Sequence, residues 1–511
     1  MNTRTQNTIR NSKIGIVKFL FQLIFQFVIR TILIYTLGKE YIGLSGLFTN
    51  IIGLLNLAEL GIGSAIVFSM YKPIAENDEK TIGQLLYFYK KCYFWIALTV
   101  SCIGVILIPF LPKLANGGYP SDVNIYLVYI SYLLNTIISY FMAHKRALLF
   151  ANQRNDIENK VKTICIFGLN ITQIILLLVF KSYNIYILVL PIFTILESLL
   201  IYFEANRLFK IKENSEKLNT EIKSEIKKNV IAMSMHQIGG VCVTSTDNLL
   251  LSIIFGLTAV GIYNNYNLVI TSIISIISLL ISATQASVGN KMASDAPDQV
   301  YQNFKILNSL FIVFIGWCSI CMLCLFQDFI LAWTRESDYL LDFYTVFIIV
   351  LSFYTKESLG VTYMFKNAAG LMWYDKISPI IQSISNLLIS IILCKLLGLV
   401  GIFIGTIFST ILGPFWLTPR TLFKNYFKTS QNKYYKNYFL ITFITIITGA
   451  ITFFICKIIT CGLILKIIIK ALICVIVPLA LYTLFYFKTP EFKYFISFIK
   501  NYLNKRKKTA K

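Results

Sequence analysis

Apolar runs of about 20 residues or more recur along the whole chain, separated by short stretches rich in Lys, Asn, Glu and Gly, and a helix needs a run of that length to cross a bilayer. The pattern predicts spans near residues 14–36, 42–70, 92–111, 123–143, 163–180 and 184–204, then 229–255, 259–289, 304–326, 343–365, 377–397 and 399–417, and finally 437–456 and 463–487. These make about fourteen helices, and no run has the alternation that a barrel strand requires. The chain reads as an all-α polytopic membrane protein. An even number of spans returns both termini to one side.

The first two spans carry residues that a bilayer rejects. Span one holds Lys18, Gln22, Gln26 and Arg30 at every fourth position, a stripe that drifts slowly round one side of a helix and puts Lys18 and Arg30 about 18 Å apart along its axis. A charge near mid-membrane costs roughly 3 kcal/mol on insertion scales, so such residues face protein or water. The spacing suggests a cationic, hydrated groove. In span two, Ser45, Thr49, Asn56, Glu59 and Gly63 fall on one side at helical spacings of three, four or seven. Asn56 and the small residues suit helix packing or a cavity lining. Glu59 reads either as a partner for a base such as Arg30 or as a cavity carboxylate that balances the groove or takes up H+ or Na+.

Composition agrees with a membrane location: of 511 residues, 56% are hydrophobic and 14% charged, and the mean hydropathy is +0.69. The formal net charge of +23 raises the question of nucleic acid, but the basic residues lie between spans rather than along one basic face, so no nucleic-acid partner is expected. The N-terminus, alternate loops and C-terminus carry roughly 36 Lys and Arg, against roughly 7 in the other loops, which places both termini in the cytoplasm. His144, Lys145 and Arg146 at the end of span four read as headgroup anchors, and the tail run Lys505-Arg506-Lys507-Lys508 as attraction to anionic lipid.

An internal repeat organises the spans. EYIGLSGLFTNIIGLLNL resembles TAVGIYNNYNLVITSIISI, with Gly43 matching Gly261 and Phe48 matching Tyr266, and Arg207-Leu208-Phe209-Lys210 lines up with Thr421-Leu422-Phe423-Lys424. Offsets of about 218 and 214 residues separated by an even number of spans give a parallel duplication. The expected organisation is a six-helix bundle over 1–206, a cytoplasmic amphipathic linker over 207–228 carrying an interfacial helix, a second six-helix bundle over 229–425, two added spans within 426–487 and a basic tail over 488–511.

Further polar residues inside spans are candidates for the cavity. Span seven carries His236, Gly240, Thr244 and Asp247 at helical spacing, with Asn248 beside them; span ten carries Lys356 and Glu357, which point about 100° apart. Asp247 is the intramembrane aspartate that most needs explaining. The 11 cysteines show no metal-ligand spacing and read as small packing residues, so no metal is expected. No phosphate-binding G-x-x-x-x-G-K-[ST], G-x-S-x-G elbow or H-E-x-x-H is present, and the outer loops stay under about 20 residues, so neither an ATPase, another enzyme nor a cofactor is expected.

The run RTILIYTLGKEYIGLSGLFTNIIGLLNLAELGIGSAIVFSMYKPIAENDEK, with KNAAGLMWYDKISPIIQSISNLLISIILCKLLGLVGIFIGTIFSTILGPFWLTPRTLFKNYF later, resembles the bacterial polysaccharide (O-antigen and capsule) flippases of the multidrug/oligosaccharidyl-lipid/polysaccharide (MOP) exporter superfamily. The resemblance implies two pseudo-symmetric six-helix bundles around a central cavity. It also implies carriage of undecaprenyl-diphosphate-linked oligosaccharide from the cytoplasmic to the outer leaflet of the bacterial cell membrane, by alternating access without ATP hydrolysis. Arg30 matches the family's first-helix arginine and becomes the leading ligand for the diphosphate. Lys18, Gln22, Gln26, Asn56, Asn248 and Lys356 are the further substrate candidates, and Glu59, Asp247 and Glu357 the candidates for H+ or Na+ coupling. One rival is a drug/cation antiporter of the same superfamily, whose cavity should be acidic and aromatic. Another is a polymerase or ligase of lipid-linked glycans, which would need a large outer loop.

Overall fold

The computed structural model describes residues 4–487 except Leu60, Asn116 and Gly117, and also Thr489. The basic tail expected over 488–511 lies, but for Thr489, outside the described residues, as do the side chains of His236 and Thr244. The helices are α1 (Arg4–Thr36), α2 (Lys39–Leu55), α3 (Ile62–Glu76), α4 (Glu79–Leu107), α5 (Ile125–Phe141), α6 (Ala143–Ala151), α7 (Asn155–Phe180) and α8 (Tyr183–Leu208). They continue with α9 (Thr220–Ser294), α10 (Pro297–Thr334), α11 (Phe343–Glu357), α12 (Gly360–Ala368), α13 (Ile377–Leu397), α14 (Leu399–Phe427), α15 (Asn432–Lys457) and α16 (Leu463–Tyr486). Among the described residues twelve helices are long and apolar enough to cross a membrane, or thirteen if the bent pair α5 and α6 forms one span. In α9, Gly256 takes φ 80 and ψ 175, a conformation outside the helical region that glycine adopts readily, and it divides the element where spans seven and eight were expected to part. Large apolar side chains cover the surface, Ile164 and Val179 each being 67% exposed. That is the inverse of a water-facing surface and suits contact with lipid. The protein is an all-helical, multi-pass membrane protein.

By internal contacts the chain forms two compact units, Met1–Asn264 and Asn265–Lys511. Residues 229–264, expected in the second bundle, therefore group with the first. The reason is a close approach of repeat-equivalent glycines: a Cβ on Gly43 would stand 1.9 Å from the Leu257 carbonyl oxygen, and one on Gly261 would stand 2.0 Å from that of Lys39. Only a residue without a side chain lets the α2 and α9 backbones touch there.

The duplication is also visible in the backbone. Span four bends by 50° between α5 and α6, and span ten breaks between α11 and α12. Both segments that follow, α6 and α12, are 9 residues long and are followed by a left-handed residue, Gln153 (φ 58) and Gly370 (φ 68), about 217 residues apart.

Two expectations are corrected. Span two is not one helix: α2 ends at Leu55, Asn56–Glu59 forms a 3-10 turn, and Gly61 in the left-handed region (φ 69) starts α3. The linker is not a continuous interfacial helix, because residues 209–219 form no helix and instead lie along α4. The Asn214 amide donates to the Gly83 carbonyl at 3.1 Å, and Glu216 pairs with Lys80 at 2.8 Å. These residues spend their hydrogen bonds on the bundle, so helix begins only at Thr220, where the Asn219 side chain accepts from the Glu221 amide at 3.1 Å.

Candidate functional site

In the first unit the helix break in span two separates its polar stripe into two sites. The upper part of the stripe, Ser45 and Thr49 on α2, meets Tyr132 of α5 and Tyr183 of α8, and these hydroxyls are hydrogen-bonded to one another. The Tyr183 and Tyr186 rings lie 5.7 Å apart, and Tyr183 is fully buried. Arg30 of α1 points into this group, with Tyr132, Tyr183 and Tyr186 as the polar groups nearest its charge. Its Nη1 is buried and has no hydrogen-bond partner. Among the described residues no carboxylate pairs with it. A buried guanidinium with an idle N–H is costly, of the order of a few kcal/mol, unless a ligand completes it. Its fork and the surrounding phenols offer donors in several directions, the chemistry that receives an oxyanion.

The lower part of the stripe belongs to a second site. Asn56 accepts from the Tyr140 hydroxyl at 2.8 Å, and Glu59 accepts from the Tyr93 hydroxyl. Tyr89 stacks on Tyr93 with ring centroids 4.5 Å apart. Glu59, Tyr89, Tyr93 and Tyr140 line a cavity of ≈ 470 Å³ to which Tyr71, Arg146 and Glu158 also contribute. Arg146 is already engaged, with Glu197 at 3.1 Å. Glu59 therefore pairs with tyrosine and not with Arg30, because the turn at Asn56–Glu59 takes it away from the α2 face that meets the Arg30 group. This cavity is acidic and aromatic.

The other candidates are dispersed. Lys18 Nζ donates to Asn159 of α7 at 3.1 Å, within electrostatic reach of Glu158 and Glu197, so it is tied to the α1–α7 interface. Gln22 and Gln26 are exposed on α1 and make no hydrogen bond among the described residues. Asn248 donates to Asn50 of α2 at 3.3 Å, and Asp247 is buried near the Tyr263 hydroxyl. In the second unit Lys356 and Glu357 are half-buried in the last turn of α11, just before the break. His144 and Lys145 are not headgroup anchors: both are buried, at 3.3 and 3.9 Å from Glu213 of the 209–219 strap. Burial alone would raise the Glu213 carboxyl, but the Lys90 hydrogen bond at 2.8 Å, with His144 and Lys145 close by, holds it below the usual carboxylate range.

Solved structures with this arrangement of helices exist. A lipid II flippase, MurJ, in an inward closed conformation superposes with a TM-score of 0.66 at 16% identity, over 94% of this chain and 99% of that one. An inward-facing multidrug-resistance MATE family transporter of the MOP superfamily gives 0.62 at 16% identity, over 83% and 99%. A MOP superfamily transporter from Pyrococcus furiosus, described as having a binding pocket of reversed polarity, gives 0.57 at 15% identity, over 83% and 96%. The fold is that of the MOP superfamily transporters. No family model matches the chain, and no curated protein does.

Within this MOP fold, sequence reasoning singled out Arg30, Asn56 and Glu59 but not the tyrosines that define their surroundings. The i, i+3 pair Tyr183/Tyr186 and the i, i+4 pair Tyr89/Tyr93 each put two phenols on one helix face, and that spacing was the available signal. It was diluted by 30 tyrosines in the chain.

Proposed function

We propose that the protein is a flippase that carries undecaprenyl-diphosphate-linked oligosaccharide from the cytoplasmic to the outer leaflet by alternating access, for surface polysaccharide biosynthesis. It works as a carrier rather than an enzyme, in a bacterial cell membrane with both termini cytoplasmic. The observation that carries this reading is Arg30: a half-buried cation whose buried Nη1 is idle, with phenols as its polar neighbours and no carboxylate paired to it among the described residues. A diphosphate would satisfy it, and Tyr132, Tyr183 and Tyr186 add donors for phosphate or sugar oxygens. The polyprenyl tail stays in lipid while the headgroup, which cannot cross about 30 Å of hydrocarbon alone, exchanges water for these donors. Glu59 is the coupling carboxylate of choice, since it combines a cavity with a partner that is neutral. Lys18 acts on the position of α1, through Asn159, more than on the substrate.

The test is translocation of a polyprenyl-diphosphate oligosaccharide in liposomes containing the purified protein. Arg30→Ala should lower it about 100-fold at unchanged protein level; unchanged translocation refutes the reading. A second reading, a drug or cation antiporter, is favoured by one observation, the acidic and aromatic cavity around Glu59. Efflux of an organic cation from the same liposomes that is lost in Glu59→Gln and retained in Arg30→Ala would establish it instead.

A further inference from the structure

Three cysteines from three helices of the second unit meet at one point. The sulfurs of Cys324 (α10), Cys456 (α15) and Cys474 (α16) all lie within 4.8 Å of one another, and all three residues are buried. No two of them are neighbours on one helix, so no sequence spacing announces the group. With 11 cysteines in 511 residues, ordinary packing of small side chains seldom brings three of the same rare kind together. Ile320, Leu325, Phe453 and Ile473 close round the sulfurs and keep water out.

The charges next to this nest are unbalanced in a useful direction. One turn beyond Cys324 stands Asp328, and one turn before Cys474 stands Lys470. Asp328 accepts from Lys470 at 2.5 Å and from Lys466 at 2.7 Å, so two lysines share one aspartate and one positive charge is left over. That excess offsets the negative charge that thiolates acquire around a cation. Cys321, one turn from Cys324, packs against the group with its sulfur 3.9 Å from the Cys474 carbonyl oxygen.

We propose that Cys324, Cys456 and Cys474 form a site for one thiophilic d10 cation, of the Zn2+ or Cu+ type, that staples α15 and α16 to α10. Metal–sulfur bonds of about 2.3 Å in a trigonal or tetrahedral centre put sulfurs about 4 Å apart, inside the observed limit of 4.8 Å. Soft thiolate sets select these metals over Mg2+ or Ca2+. On binding, each coordinating thiol gives its proton to the medium and its sulfur lone pair to the metal, and no electron is transferred. Three sulfurs alone suit Cu+; rotation of Cys321 toward the nest would supply the fourth ligand that Zn2+ prefers.

The experiment uses the purified full chain in detergent, incubated with Zn2+ or with Ag+ as a redox-inert stand-in for Cu+, then gel-filtered in excess glutathione and analysed for metal. One equivalent of either metal should remain, and thermal unfolding should shift upward with it. Cys324→Ala, Cys456→Ala and Cys474→Ala should each lose that equivalent, while Cys102→Ala, at an exposed position, keeps it. Retention of Zn2+ that also requires Cys321 assigns the four-coordinate form; retention of Ag+ without it assigns the three-coordinate form. The proposal is overturned if neither metal survives glutathione, if the three variants retain as much as the parent, or if freshly isolated protein holds a disulfide between any two of the three cysteines.

Discussion

Arg30 and Lys366 are both basic side chains drawn into helical bundles, and the chain treats them in opposite ways. Lys366 on α12 is 1% exposed and donates to Asp375 at 2.7 Å, while Thr418 of α14 donates to the same carboxylate oxygen at 3.0 Å. Its charge is cancelled on the spot, and the pair ties α12 to the turn before α13. Arg30 is given tyrosine hydroxyls but, among the described residues, no anion. A buried pair cancels its own charge, even with Asp375 Oδ1 accepting no hydrogen bond, whereas a lone cation is neutralised only by something that arrives. The contrast separates a charge used to hold helices from a charge available to a ligand, although both occur in one repeated backbone design.

The largest effect expected from this contrast falls on stability. Lys366→Ala leaves Asp375 buried and uncompensated and should cost about 3–5 kcal/mol, with the double change Lys366→Met, Asp375→Leu recovering most of it. Thermal unfolding in detergent measures both. If Lys366→Ala unfolds at the parent temperature, the pair is not structural and the comparison breaks. Next comes Arg30→Ala, which should leave unfolding unchanged or raise it while translocation falls about 100-fold, near 2.7 kcal/mol. Arg30→Lys sharpens the point. It should recover little if two parallel N–H donors are needed, and most of the rate if charge alone suffices.

These partners also mark how far the sequence can be read. Span lengths and the repeat were legible because a bilayer demands apolar runs of fixed length and the duplication preserved Gly43 and Gly261, which must be small to let two backbones touch. The breaks were not. Met142 has neither Gly nor Pro to announce a 50° bend, and continuity across Asn56–Gly61 put Glu59 on the wrong side of a helix that in fact turns. Arg30 could be found because an arginine inside an apolar run is improbable on its face. The carboxylate of Asp328 escaped notice, since its bases Lys466 and Lys470 lie 138 and 142 residues away along the chain.

Glu59 is the acidic counterpart of Arg30: a carboxylate held by tyrosine, with no base paired to it among the described residues. Replacing Gly63 by Ala tests whether its cavity matters without touching its charge. The new Cβ would stand 2.5 Å from the Tyr93 hydroxyl and 2.7 Å from that of Tyr89, so the two phenols must shift away from Glu59. Transport should drop about tenfold, equivalent to one lost hydrogen bond to a charged group, with the protein still folded by gel filtration. A rate equal to the parent's would show that the phenols only fill space, and Glu59 would then belong with the structural charges.

The smallest effect concerns a pair at the aqueous end, where the distinction between paired and lone charge should fade. Glu213 is 24% exposed in its side chain and is shared among Lys90, His144 and Lys145, and these neighbours hold its carboxyl below the ordinary value. A depressed carboxylate contributes stability in full above its unfolded pKa of about 4.3, and that contribution disappears as pH falls through the folded value. The Glu213 contribution to docking of residues 209–219 on α4 should therefore be constant from neutral pH down to about 5 and disappear only below the usual carboxylate range, while His144, whose pKa burial lowers to about 4, stays neutral. Hydrogen exchange at the Asn214 amide, which is bonded to the Gly83 carbonyl, reports it directly. Glu213→Gln should speed that exchange less than about tenfold at neutral pH, because partly exposed pairs contribute at most about 1 kcal/mol. Release with a midpoint near 6.5, the ordinary histidine value, would mean that His144 and not Glu213 governs the strap. The paired charge would then be a switch instead of a fastening.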